Sequence, residues 1–223
     1  MENKLKIIES SPVLIGLTVL IVFLSNYVLF LFFEWQKLLL NDWQSQLIGA
    51  FWALLTFFLM PVWILKRFFK ENLRDYGLIW PEKIRTAAVL TALAFLVLLP
   101  FLFLFSKKAD FISYYSTGGF SLWQFLVAGL AAPLVYYFAE EFLFRGFLFF
   151  GLLRKIGYHA FWLSSFLFAL LHATKPTGEI FFAFFSGLVF AYLSFKTKSM
   201  LPAAFLHFLI AIVLNFLIGN NLA

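Results

Sequence analysis

Long apolar runs alternate with short polar stretches along the chain, and the runs set the elements. The first covers residues 12–33, with Pro12 in the opening turn, where its missing N–H does no harm. A polar link at 34–44 carries Trp35 and Trp43, a residue type that gathers at membrane–water interfaces. Further runs cover 45–65, 86–105, 121–153, 158–173, 178–195 and 201–218. Most are close to the roughly 20 residues that cross a hydrocarbon core, which predicts seven transmembrane helices. The run 121–153 exceeds one crossing, so a kink or break is expected at Pro133 or Gly146; a division there would make eight. The stretch 66–85 holds six basic and three acidic residues and reads as an interfacial loop, with an amphipathic turn at Phe68 and Phe69. The stretch 106–120, with Gly118 and Gly119, reads as a loop without a motif. Ala183, Gly187 and Ala191 recur every fourth residue, a spacing that lets helices pack closely.

Composition agrees with this pattern. Of 223 residues, 63% are hydrophobic and only 13% charged, against about 25% charged in soluble domains. The chain is therefore expected to be a single integral membrane domain over 1–223, an all-α polytopic bundle of seven to eight transmembrane helices. The first run is too long for the roughly 7–15-residue core of a signal peptide and reads as a retained helix. The net charge of +6 sets topology in such a chain, and no nucleic-acid partner is expected. With the N-terminus in the cytoplasm, twelve basic residues fall on that side and four on the other, a clear positive-inside bias. The absence of cysteine excludes disulfides, thiolate catalysis and Cys-ligated metals.

Three charged groups stand inside an apolar run. Glu140, Glu141 and Arg145 lie within six residues of each other between Leu122 and Leu153, and each such group costs roughly 2.5–3.5 kcal/mol at the centre of a bilayer helix on insertion scales. Glu141 and Arg145 are four apart, the spacing at which helix side chains meet, so they read as an ion pair. Glu140 points about 100° away and is left without a partner. A desolvated carboxylate of this kind suits general acid–base work on a water, a proton relay, or metal binding. His172 and His207 also sit in apolar runs, and Phe168 shares a face with His172. Glu140, His172 and His207 could converge only in a bundle interior. There they could activate a water directly, one histidine donating to a developing oxyanion, or hold a divalent metal such as zinc in an open three-ligand site. Each histidine alone also reads as a core residue bonded to a backbone carbonyl. His159, beside Arg154 and Lys155, reads as interfacial and carries no role. The zincin pattern H-E-x-x-H is absent.

The ordered set Glu140-Glu141…Arg145, Phe168…His172 and His207 resembles the CPBP family of CAAX-protease and bacteriocin-processing membrane proteins, also called the Abi family. The resemblance covers a motif-bearing core of about 121–218, and Tyr76-Gly77-Leu78 is also similar. It implies a CAAX-protease-like core and an intramembrane endopeptidase. Glu140 and His172 would activate the attacking water, His207 would stabilise the oxyanion, and Glu141, Arg145 and Phe168 would shape the site. The implied substrate is a membrane-associated or lipid-modified protein or peptide reached through the lipid bilayer. The expected seat is the bacterial cytoplasmic membrane. No tightly bound cofactor is implied, a zinc ion on Glu140, His172 and His207 being the alternative. One departure stands out. The family pattern usually has Asn or Asp four residues after the last histidine, where this chain has Ala211, with Asn215 one turn further on. That departure favours a second reading, a non-enzymatic membrane protein of the same fold acting in bacteriocin self-immunity or as a scaffold. A proton-coupled transporter is a third, disfavoured because the first three apolar runs carry almost no polar residues.

Overall fold

The computed structural model describes residues 15–28, 41–116 and 120–220, together with the single positions 12 and 31. The ends of the first apolar run, most of the link with Trp35, and Gly118–Gly119 lie outside the described residues. Among those described there are eight helices: α1 (Ile15–Val28), α2 (Asp42–Phe69), α3 (Ile84–Phe105), α4 (Ala109–Tyr115), α5 (Leu122–Ile156), α6 (His159–Leu171), α7 (Thr177–Thr197) and α8 (Leu201–Asn220). Five of them (α2, α3, α5, α7 and α8) are long and apolar enough to cross a membrane, while α1 and α6 are shorter apolar helices. The protein is thus all-α, with the helices of an integral membrane protein. The remaining helix, α4, occupies the stretch that the sequence pattern leaves as a loop.

The run expected to kink or divide stays one helix of 35 residues. Its one proline, Pro133, is absorbed by widening. Turns of π type cover Phe125–Ala131 and end two residues before Pro133. The same device recurs in α2, where the wide stretch Leu54–Leu59 ends two residues before Pro61. A proline removes one backbone donor and crowds the preceding turn, and a locally wider turn relieves both without breaking the rod. Two further wide stretches contain no proline: Leu65–Phe69 at the end of α2, and Phe142–Phe150, which begins directly after Glu141 and includes Arg145 and Gly146. Helix α5 starts at a reciprocal cap. Gln124 N–H donates to Ser121 Oγ and Ser121 N–H donates to Gln124 Oε1, satisfying two of the helix's free donors.

Helix α5 runs through the core. Phe142, Leu143, Phe144, Phe147, Leu148 and Phe149 are all buried on it. It is flanked by α2 and α8 along its first half and by α6 beside the wide stretch; α7 packs on α6, α3 and α8. Phenylalanine serves both surfaces of the bundle: Phe168 and Phe190 are buried, whereas Phe166, Phe181, Phe185 and Phe216 face outward. The α6–α7 contact is close because Gly187 has no side chain. A Cβ there would lie 3.1 Å from Ser165 Cβ and 3.2 Å from Arg145 Nη2.

Two sets of contacts close the bundle at opposite ends. At one, Gly77 takes a left-handed φ of +73°, which lets its carbonyl accept from Met200 N–H at 2.9 Å, and Ser199 Oγ–H donates to the Ile79 carbonyl. Arg154, at the end of α5, pairs with Glu71 at 2.8 Å and lies over the Tyr76 ring. At the other end, α4 packs on the end of α3 through Phe105 and Phe111, whose rings stack 4.7 Å apart, and reaches the α6–α7 connection through Tyr115 and Lys175.

Candidate active site

Four polar side chains of α5 and α8 meet in the interior. Arg145 and Glu141, one turn apart on α5, are fully buried and pair through two contacts, Nη1 to Oε1 and Nε to Oε2, each 3.2 Å. Arg145 Nη2–H also donates to the Gly187 carbonyl of α7 at 3.3 Å. The guanidinium lies 4.1 Å from the centre of the Phe168 ring and 5.1 Å from that of Phe190, so aromatic faces cover a cation that water cannot reach. From α8, His207 brings Nδ1 to 2.8 Å from Glu141 Oε1 and 3.7 Å from Glu140 Oε2. The Glu141 contact is a hydrogen bond from Nδ1–H, since the carboxylate can only accept. Glu140 is buried, and its Oε2 accepts no hydrogen bond from the protein.

His172 is placed by the end of α6. That helix has 13 residues, a rise of about 20 Å, short of the roughly 30 Å hydrocarbon core. It therefore stops within the depth of the bundle, with His172 just past its last turn. Nδ1 lies 2.9 Å from the Phe168 carbonyl. A carbonyl only accepts, so Nδ1 carries the proton and caps the helix end, leaving Nε2 as the nitrogen free to react. The rings of His172 and His207 both pack on Phe168, with centroids 4.6 and 5.5 Å away. No hydrogen bond or ion pair joins His172 to Glu140, whose Oε2 lies 3.7 Å from His207 Nδ1.

Both histidines line one cavity with Tyr137, Phe168, Ala211 and Asn215. It offers about 50 Å³ for water centres, enough for a few waters at about 10–15 Å³ each. Ala211, in the position where the motif pattern carries an amide, presents no donor to the cavity. Asn215 lines it from an outward-exposed position. Tyr137, one turn before Glu141 on α5, stacks on His207 with ring centres 4.2 Å apart.

The structure adds three residues to which the sequence pattern gave no role. Glu179, in the first turn of α7, is buried and lines the same cavity. Tyr115 of α4 donates to it, with its hydroxyl 2.6 Å from both carboxylate oxygens. Lys175 Nζ donates to Glu179 Oε1 at 2.8 Å and to the Tyr115 hydroxyl at 3.2 Å. His172 Nε2 stands 4.0 Å from Glu179 Oε1. Burial alone would lower the pKa of Lys175, but Glu179 and Tyr115 outweigh it and hold the lysine well above its ordinary value. Burial likewise pushes the Tyr115 phenol up, against the pull of Lys175, so it stays a donor. The signal was present in the sequence as the four-residue spacing from Lys175 to Glu179, directly after His172.

Among the described residues no three His, Asp or Glu side chains have the spacing to hold a metal ion. The donor directions account for this: His207 turns Nδ1 to Glu141, His172 commits Nδ1 to a carbonyl, and Glu140 faces His207 rather than His172. These residues do not fit a zinc ion on Glu140, His172 and His207.

Residues 118–213 match the family model described as Type II CAAX prenyl endopeptidase Rce1-like. The matched segment agrees with the motif resemblance and contains Glu140, Glu141, Arg145, Phe168, His172 and His207. Curated proteins gave no match to the chain, and solved structures gave none.

Proposed function

We propose that this protein is an intramembrane endopeptidase that hydrolyses a peptide bond in a membrane-associated or lipid-modified protein or peptide. The observation that carries the reading is the buried chain Arg145–Glu141–His207 beside a Glu140 oxygen that accepts no hydrogen bond, inside the segment that the family model matches. A helix that only needed to span a membrane would not carry this set. In the proposed reaction Glu140 and His172 form the acid–base pair: His172 takes a proton from a water whose oxygen attacks the scissile carbonyl carbon, and Glu140 passes a proton on toward the leaving amine. His207 donates Nδ1–H to Glu141, which fixes its ring, and stabilises the oxyanion. Arg145 holds Glu141 in place, and Phe168 spaces the two imidazoles. Asn215 is the cavity-lining amide available as a second oxyanion donor. Losing one such donor typically lowers the rate about 10²–10³-fold, so Ala211 predicts a slow enzyme.

Ala211 also favours a second reading, in which the fold binds a partner in bacteriocin self-immunity or scaffolding without hydrolysis. The two separate in a comparison of membrane-proteome termini between cells expressing the wild type and Glu140→Gln at equal abundance. Defined peptide ends that vanish in the variant are the expected result. Identical termini in both strains, with any phenotype intact, would select the binding protein.

A further inference from the structure

Glu179 is not part of the motif set, yet it is the carboxylate that shares the cavity with His172 and His207. Its surroundings are built. Two donors from two separate parts of the chain, Tyr115 on α4 and Lys175 before α7, grip both of its oxygens. Charge-assisted bonds of this kind are short and strong. Facing it across 4.0 Å is His172 Nε2, the ring nitrogen left free because Nδ1–H is committed to the Phe168 carbonyl. That separation is too long for a direct hydrogen bond. It suits one water bonded at about 2.8 Å to each side, and the cavity has space for it.

We infer that Glu179 and His172 form a two-point clamp for the attacking water, Glu179 Oε1 accepting one O–H and His172 Nε2 the other. The clamp rests on the endopeptidase reading. The division of labour follows from the geometry. Glu179 already accepts from a phenol and an ammonium, so it orients the water and does not take its proton. His172 Nε2 has a bare lone pair and receives that proton as the oxygen attacks. The water's own lone pairs are left facing the cavity, where a scissile carbonyl would lie. Glu179 is thus a water-positioning residue, supported from behind by Lys175 and Tyr115. A purely structural pin between α4 and α7 would need the Tyr115–Glu179 bond but would not need a free imidazole nitrogen aimed at it.

The test uses the full-length protein with Glu179→Gln, and with Glu179→Gln combined with Lys175→Gln, which removes both buried charges together should the single variant fail to fold. Two readouts are taken. The first is the rate at which Glu140-dependent peptide ends accumulate in cells; it should fall at least tenfold in both variants and only two- to threefold in Tyr115→Phe, where Lys175 still holds the carboxylate. The second is the histidine ¹⁵N spectrum in micelles, with His172 assigned by His172→Gln. The wild type should show a proton on Nδ1 and a hydrogen-bonded Nε2, and the Nε2 resonance should move toward that of a free acceptor when Glu179 is replaced. Product formation within twofold of wild type in a folded Glu179 variant overturns the clamp, as does an unchanged His172 spectrum. If the wild type yields no Glu140-dependent ends, it is the endopeptidase reading that fails, and the spectrum alone decides whether the clamp exists.

Discussion

Arg145 has no exposed surface, and its charge is paired with that of Glu141 in a dry interior. Breaking a buried ion pair by removing one member typically costs about 3–5 kcal/mol, because the other charge is stranded. Arg145→Met should therefore destabilise the protein by about that much, read as a shift of the denaturant midpoint in micelles. Glu141→Leu combined with Arg145→Met should recover most of the loss, since neither charge then remains. The double variant should nonetheless be inactive, because His207 loses the acceptor at 2.8 Å that orients its ring. A double variant as unstable as the single would mean that aromatic packing, not charge, dominates the site. The pairing of Glu141 with Arg145 was legible in the sequence, being fixed by helix geometry alone. The bond from His207 to Glu141 was not, since it depends on the rotation and height of α8 against α5. Glu179 was missed for a different reason: an acid in the first turn of a helix ordinarily reads as a solvated N-terminal charge, and only Tyr115, 64 residues away, reveals it as buried.

At the scale of the helix, the apolar runs predicted the elements well because each is long and uniformly apolar. They failed where local chemistry absorbed an expected break. Pro133 lies in a run too long for one crossing, yet wide turns ahead of it keep α5 whole. The small helix α4 was invisible because its seven residues are too few for a periodic pattern and mix charged, apolar and aromatic types. Packing, in contrast, can be tested at single glycines. Gly187→Ala would place a methyl 3.2 Å from the Ser165 Cα and the same distance from Arg145 Nη2. Helix α7 must then move away from α6, for a loss of about 1–3 kcal/mol. Gly49→Ala in α2 meets nothing within 4 Å and should be neutral or stabilising by about 0.5–1 kcal/mol from helix propensity. Thermal unfolding of the two variants side by side checks the contrast; equal effects would show that the α6–α7 approach is not what Gly187 provides.

At the scale of the molecule, the basic residues and the contacts agree on two ends. The loop around Gly77, the end of α5 at Arg154 and the α7–α8 connection at Ser199 are tied together, and these are the segments richest in lysine and arginine. Ile15 of α1 lies beside Gly151 near that same end. The opposite end carries α4 and the α6–α7 connection, tied by Tyr115, Lys175 and Glu179. Between these ends run the five helices long and apolar enough to cross a membrane, with α1 and α6 as shorter apolar helices beside them. If the positive-inside bias sets orientation, the first end is cytoplasmic and the Glu179 cluster lies toward the outer face. The chain has no cysteine, so single cysteines can be introduced cleanly at the exposed positions Lys83, Lys108, Thr174 and Lys198. An impermeant maleimide added to intact cells should label the cysteines at 108 and 174, and should reach those at 83 and 198 only after lysis. The reverse pattern would invert the orientation while leaving the bundle intact. Labelling of 83 and 108 from the same side would instead contradict a crossing by α3, and with it the assignment of the two ends on which the placement of the cavity depends.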